Sequence, residues 1–126
     1  MIGEIIDILE AATGVMSHLS GASDIHAIQR RQNTGLPCIV VDLTHSSFID
    51  YVTIQVTAYA KDPKGSYTIA MAIRNELDKY VGTVNHSHLD IRFEDLEVGI
   101  SPDDETFATV SSFVVTTTRT GLSAHT

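Results

Sequence analysis

A chain of 126 residues is long enough for one domain with a true core, burying roughly two-thirds of its unfolded surface. Its composition, 43% hydrophobic and 19% charged with no Trp and 6% aromatics, excludes a disordered chain and predicts a core of Ile, Val, Leu and Ala. A net charge of −8, from 16 acidic against 8 basic residues, argues against a protein that grips nucleic-acid phosphates or an anionic membrane surface, since both need clustered Lys and Arg.

The first residues, Met1-Ile2-Gly3-Glu4, do not read as a signal peptide. They lack a basic leading region, and Glu4, Asp7 and Glu10 interrupt the apolar run. Ile2, Ile5, Ile6, Leu9 and Ala12 or Thr13 share one helical face, with those acids near the N-terminal end where the helix dipole favours them. Gly14 is the expected stop, followed by a linking region over 15–23. Ile25 to Arg31 reads as a short strand, and the pair Arg30-Arg31 as its solvated end. A loop spans 32–36, and Pro37 opens a second strand in which Ile39, Val41 and Leu43 alternate with Val40 and Asp42. Cys38 lies in the apolar run of that strand. A single cysteine forms no internal disulfide, and its neighbours predict a buried, inert thiol. His45-Ser46-Ser47 reads as a polar turn.

The clearest strand runs from Tyr51 to Ala60. Val52, Ile54, Val56 and Ala58 point one way and Tyr51, Thr53, Gln55, Thr57 and Tyr59 the other, in strict alternation. The Tyr/Thr face is expected to pack on a helix or on a neighbouring chain. Lys61-Asp62-Pro63-Lys64-Gly65 reads as a break, with Ser66 capping a second helix. That helix carries the stripe Ala70, Ile73, Leu77 and Tyr80 or Val81, and Gly82 ends it. Leu89, Ile91 and Phe93 begin a fourth strand extending towards Val98. Pro102-Asp103-Asp104-Glu105 is an acidic turn, and a last strand rich in Val, Thr and Phe runs from about Thr106 to Arg119. The run Val114 to Thr118 must lie inside the sheet or recruit another chain, because an exposed edge of that composition pairs readily.

This order predicts an α+β domain over 1–119, with a loose tail over 120–126. Its sheet is mostly antiparallel, with about four to five strands and helices packed on it. No internal repeat or linker divides it.

Candidate chemistry is sparse. His86, His88 and Asp90 stand two residues apart, so in a strand they share a face and could converge on a metal ion. The alternative is a polar loop leading into a strand. Asp103, Asp104 and Glu105 lack the spacing of a calcium loop. Glu94, Asp95 and Glu97 have no visible partner to separate their acidities for acid–base work. No nucleophile elbow and no phosphate-cradling glycine loop is present. The pattern excludes the common catalytic and cofactor motifs and points to an interface as the product of the fold.

The layout resembles the tail terminator, or tail-completion, proteins of long-tailed bacteriophages, prophages and gene-transfer particles. The features lie along residues 1 to 119: the Ile2/Ile5/Ile6/Leu9 helix, the strand ending at Arg30-Arg31, and Leu36-Pro37 opening Cys38-Ile39-Val40-Val41. They continue with the Tyr51-Val52-Thr53-Ile54-Gln55-Val56-Thr57-Ala58-Tyr59 strand, the Ala70-x-x-Ile73-x-x-x-Leu77 helix, Ile91-x-Phe93-Glu94, and the closing strand Phe107 to Thr118. The resemblance implies a structural virion protein of the tail or neck, made in the bacterial host cytoplasm. It would form a hexameric ring that caps the tail tube, ends its polymerisation and offers the head-joining surface. It implies no enzyme activity, no cofactor and no membrane. The partners would be copies of itself, a tail tube protein and a head-connector protein, with DNA passing through the lumen without specific binding. Asp103, Asp104, Glu105, Thr116, Thr117 and Thr118 are the expected subunit or partner contacts. A related reading is another head–tail connector or tail tube component. A reading from a different class is a metal-binding enzyme using His86, His88 and Asp90.

Overall fold

The computed structural model describes residues 2–19, 25–27, 37–46, 51–84, 87–100 and 106–119. Two amphipathic helices supply one layer. Helix α1 (Ile2–Ala11) buries Ile5, Ile8 and Leu9. It breaks at Ala12, whose extended backbone (φ −89°, ψ 106°) turns its small side chain into the core, and a single turn, α2 (Thr13–Met16), follows with Val15 buried. The expected stop at Gly14 is therefore displaced. The chain bends two residues earlier, and Gly14 lies exposed within α2.

The strands are β1 (Ile25–Ala27), β2 (Cys38–Ser46), β3 (Tyr51–Ala60), β4 (Val81–Val84), β5 (Ser87–Ile100) and β6 (Phe107–Arg119), with helix α3 (Pro63–Leu77) between β3 and β4. They form one sheet in the order β1-β2-β3-β6-β5-β4. β1 pairs parallel to β2, and the other pairs are antiparallel. The sheet is thus mixed, and it has six strands among the described residues where the sequence pattern predicts four to five. β6 is interior, between β3 and β5, so the Val/Thr run lies inside the sheet as far as Thr116, paired on both edges, while Thr117 and Thr118 pair with β5 alone among the described residues.

Alternation decides which face the helices cover. Ile39 and Val41 of β2, Ile54, Val56 and Ala58 of β3, Leu89 and Ile91 of β5, and Phe113 and Val115 of β6 are buried on the side of α1 and α3. Ile69, Ala70, Ile73 and Leu77 of α3 close the core from above. Phe113 is among the largest fully buried side chains and meets Phe93 edge to face, with ring centroids 5.7 Å apart. Each fully buried Ile, Leu, Val or Phe contributes about 1.5–3 kcal/mol relative to exposure, so this layer of contacts holds the helices on the sheet.

The ends of α3 differ from the sequence expectation. The cap is Asp62, not Ser66: its carboxylate accepts from the Gly65 amide, and Pro63 begins the helix. A proline in the first turn costs nothing because its missing N–H has no acceptor there. Ser66 instead lies fully buried. Its hydroxyl donates to the Pro63 carbonyl (3.1 Å) and meets the Thr109 hydroxyl on β6 at 2.9 Å. At the other end Lys79, with φ 65°, makes the left-handed turn expected of Gly82. Val81 and Gly82 belong to β4 rather than to the end of the helix. His45 and Ser46 likewise extend β2 instead of forming a turn, past a register shift between Leu43 and His45. Strand residues 28–31, the loop 32–36, Ser47, the acidic turn and the tail 120–126 lie outside the described residues.

Candidate functional site

Because both long helices lie on one side, the opposite face of the sheet carries no helix among the described elements. Packing of the Tyr/Thr face on a helix is therefore excluded for the described elements. Thr53, Gln55, Thr57 and Tyr59 of β3 project there, half-buried, beside Val110, Ser112 and Val114 of β6. The face changes character across the sheet. At the β1–β2 end His26, Cys38 and Val40 are buried. At the β5 end His88, Arg92, Asp95 and Glu97 are exposed.

The residues singled out from sequence fall as follows. Thr116 is exposed on this outer face, opposite Tyr51 on one side and Asp90 on the other. Thr117 is half-buried, opposite Leu89, and Thr118 occupies the β6 position opposite His88. Asp103, Asp104, Glu105 and His86 lie outside the described residues. His88 and Asp90 do share a face, as their spacing predicts, but each has a local partner. His88 Nδ1 lies 3.4 Å from the Thr83 hydroxyl on β4, and Arg92 Nε donates to Asp90 Oδ1 at 3.0 Å. Among the described residues no group of three or more His, Cys, Asp or Glu is placed to hold a metal ion. No helix among them is long and apolar enough to cross a membrane.

A second surface went unread in the sequence. β4 covers only Ser87 to Asp90 of β5. The next stretch of that edge is closed by the turn after α3. Lys79 N–H donates to Ile91 O (2.8 Å), Ile91 N–H to Tyr80 O (2.9 Å), and Phe93 N–H to Asp78 Oδ1 (2.9 Å). Beyond Phe93 no strand covers β5 among the described residues. A register shift between Phe93 and Asp95 moves the phase of the strand by one residue. Pairing groups alternate sides in an antiparallel ladder, so the amides and carbonyls of Leu96, Val98 and Ile100 point away from β6. The Leu96 amide is met only by the preceding side chain, Asp95 Oδ1, at 2.8 Å.

Helix α3 runs beside this stretch, from Ser66 against Thr109 of β6 to Arg74 over Phe93 of β5. Tyr67, Met71, Arg74 and Asp78 recur at helical spacing and share one of its flanks. Its C-terminal end is anchored to β5, where the Arg74 guanidinium carbon sits 4.1 Å from the Phe93 ring centroid. Tyr67 at the other end is 47% exposed, and Val98 on the facing side of β5 is 58% exposed. A signal for this was present: the apolar positions run Leu89, Ile91, Phe93 and then Leu96, Val98. The change from odd to even marks the bulge, after which even-numbered residues take the core face and the outer edge.

No protein-family model matches the chain, and no curated protein matches it. Among solved structures it is similar in fold to a chain from the virion of a native gene transfer agent particle. The TM-score is 0.70 at 9% sequence identity, and the match covers 93% of this chain and 93% of that one. At that identity the likeness establishes a shared fold.

Proposed function

We infer that this chain is a structural virion subunit that closes into a ring, hexameric in the simplest case, on the end of a tail tube. The ring ends tube polymerisation and offers the surface on which the head is joined. The observation that carries this reading is the fold likeness, over nearly the whole length of both chains, to a component of a gene transfer agent virion. The sequence pattern independently resembles the tail terminators of such particles. A ring needs one pair of unlike surfaces that close on themselves. This sheet offers unlike sides: one end of its outer face is buried at His26, Cys38 and Val40 and the other exposed at His88, Arg92 and Glu97. Thr116, Thr117 and Thr118 with Asp103, Asp104 and Glu105 are the proposed contacts with a neighbouring copy, the tail tube protein or a head connector. The net charge of −8 suits a lumen through which DNA slides without adhering.

Light scattering on the purified protein, alone and with tail tubes, is the direct test. A closed ring, visible by electron microscopy and located at the tube end nearest the head, is the expected result. A protein that stays monomeric under both conditions and is missing from the neck of assembled particles refutes the reading.

A further inference from the structure

We propose that the outer half of β5, from Glu94 to Ile100, which no second described strand covers, is a strand-addition site for an extended, basic segment of another protein, with apolar and Lys/Arg residues in alternation. Three features define the occupant. First, the edge is pairing-competent. Leu96, Val98 and Ile100 turn their main-chain groups away from β6, and no described strand meets them; the Leu96 amide, held by Asp95 Oδ1 at 2.8 Å, would exchange that local acceptor for a main-chain one and release the carboxylate to the incoming strand. Such groups are satisfied by one more strand, as in peptide recognition by β-augmentation.

Second, the two faces of an added strand would meet different surroundings. One row of its side chains would lie beside Leu96 and Val98 on the α3 side of the sheet, where Ser66 meets Thr109, the β6 partner of Val98, and where Tyr67 and Val98 both expose apolar surface. The other row would lie beside Asp95 and Glu97 on the outer face. Neighbouring side chains on one face of a sheet interact directly, and opposite charges there are favourable. Alternating apolar and basic residues are what this pair of surfaces selects.

Third, the same carboxylates oppose a second copy. Two chains meeting at this edge across a two-fold axis would set Glu94, Asp95 and Glu97 of one against those of the other, and like charges facing across strands repel. A heterologous contact would still bring together two chains of net charge −8, so the occupant proposed is a different, basic chain.

The test uses the full-length protein and a synthetic peptide of about eight residues alternating Val and Lys, the length of an ordinary strand. Residue-resolved amide exchange should slow at Leu96, Val98 and Ile100 when the peptide is added, and binding should weaken with salt. Val98→Pro removes an amide that points out of the sheet, a place where proline is tolerated. The variant should remain folded yet lose about tenfold or more in affinity, because one main-chain bond is deleted and the neighbouring register is blocked. Asp95→Lys combined with Glu97→Lys should transfer the preference to a peptide alternating Val and Glu. Three results overturn the proposal: no binding of the Val/Lys peptide at millimolar concentration, binding undiminished by Val98→Pro, or protection of these amides by self-association of the protein alone.

Discussion

The hydroxyl pair Ser66–Thr109 ties the first turn of α3 to β6, and its energetics can be worked out from the geometry. Both residues are fully buried, with their oxygens 2.9 Å apart. Ser66 also has the Pro63 carbonyl within reach at 3.1 Å, and with its one proton placed there Thr109 serves as the donor within the pair. Ser66→Ala strands that donor in the core, where an unsatisfied buried hydroxyl costs about 1–3 kcal/mol. The better helix propensity of Ala returns about 0.5 kcal/mol, leaving a loss of about 0.5–2.5 kcal/mol. Thr109→Val preserves the shape and leaves Ser66 still donating to Pro63, so its loss should be smaller, about 1 kcal/mol or less. The double variant removes both polar groups, and its cost should fall below the sum of the singles by about 1 kcal/mol. Urea denaturation at constant m-value measures all three. Costs that add to within about 0.5 kcal/mol would mean the two hydroxyls do not interact as described.

Three further expectations rest on single residues. Ser111, two positions along β6, has a buried hydroxyl without a hydrogen-bond partner among the described residues. Ser111→Ala should therefore be neutral or stabilising by up to about 1 kcal/mol in the same assay, and a clear loss would reveal a hidden partner. Lys79 adopts φ 65° just past the end of α3. Lys79→Gly should raise stability by about 0.5–1 kcal/mol, seen as a higher denaturation midpoint, because the left-handed conformation is unstrained in glycine. Asp78 accepts the Phe93 amide at 2.9 Å. Asp78→Ala should cost about 1–2 kcal/mol and speed exchange of that amide, whereas Asp78→Asn keeps an acceptor and removes a negative charge from a helix C-terminus, so it should cost little. Equal losses in the two variants would show that the charge, not the acceptor, holds the contact.

The parts of the fold that could be read from sequence are those where side-chain period and burial coincide. In β3 every second residue from Ile54 to Ala60 is buried, and the alternation seen in the letters is the alternation seen in space. The α3 stripe Ala70, Ile73, Leu77 behaves the same way. Legibility failed where backbone geometry was set by atoms the pattern does not weigh. The string Asp62-Pro63-Lys64-Gly65 reads as a break, yet Asp62 caps and Pro63 starts the helix, which is the place a proline fits best. β4 was missed because four residues carrying a glycine have no period of their own; pairing with Ser87 to Asp90 makes them a strand. Lys79 gives no letter-level sign of a left-handed turn, since that role is normally glycine's. Of the site residues, His88 and Asp90 were correctly placed on one face, but their engagement by Thr83 and Arg92 depends on neighbours brought in by β4 and by the strand itself. The β5 edge was legible in principle, from the shift of apolar residues between Phe93 and Leu96, but its exposure depends on where β4 stops.

Ring closure and strand addition make separate demands on this molecule, and one substitution divides them. A ring contact between copies is heterologous, joining two different surfaces of the chain. Addition at β5 instead brings in a foreign segment, whose side chains must answer Asp95 and Glu97 on one face and Tyr67 and Val98 on the other. If the edge were itself the ring contact, Val98→Pro would abolish assembly and peptide capture together. If the edge serves a basic partner, the variant keeps its ring and loses only capture. The charge pattern favours the second outcome: a chain with net charge −8 gains more by offering this acidic edge to a cationic strand than by pressing it against a copy that carries the same excess of carboxylates.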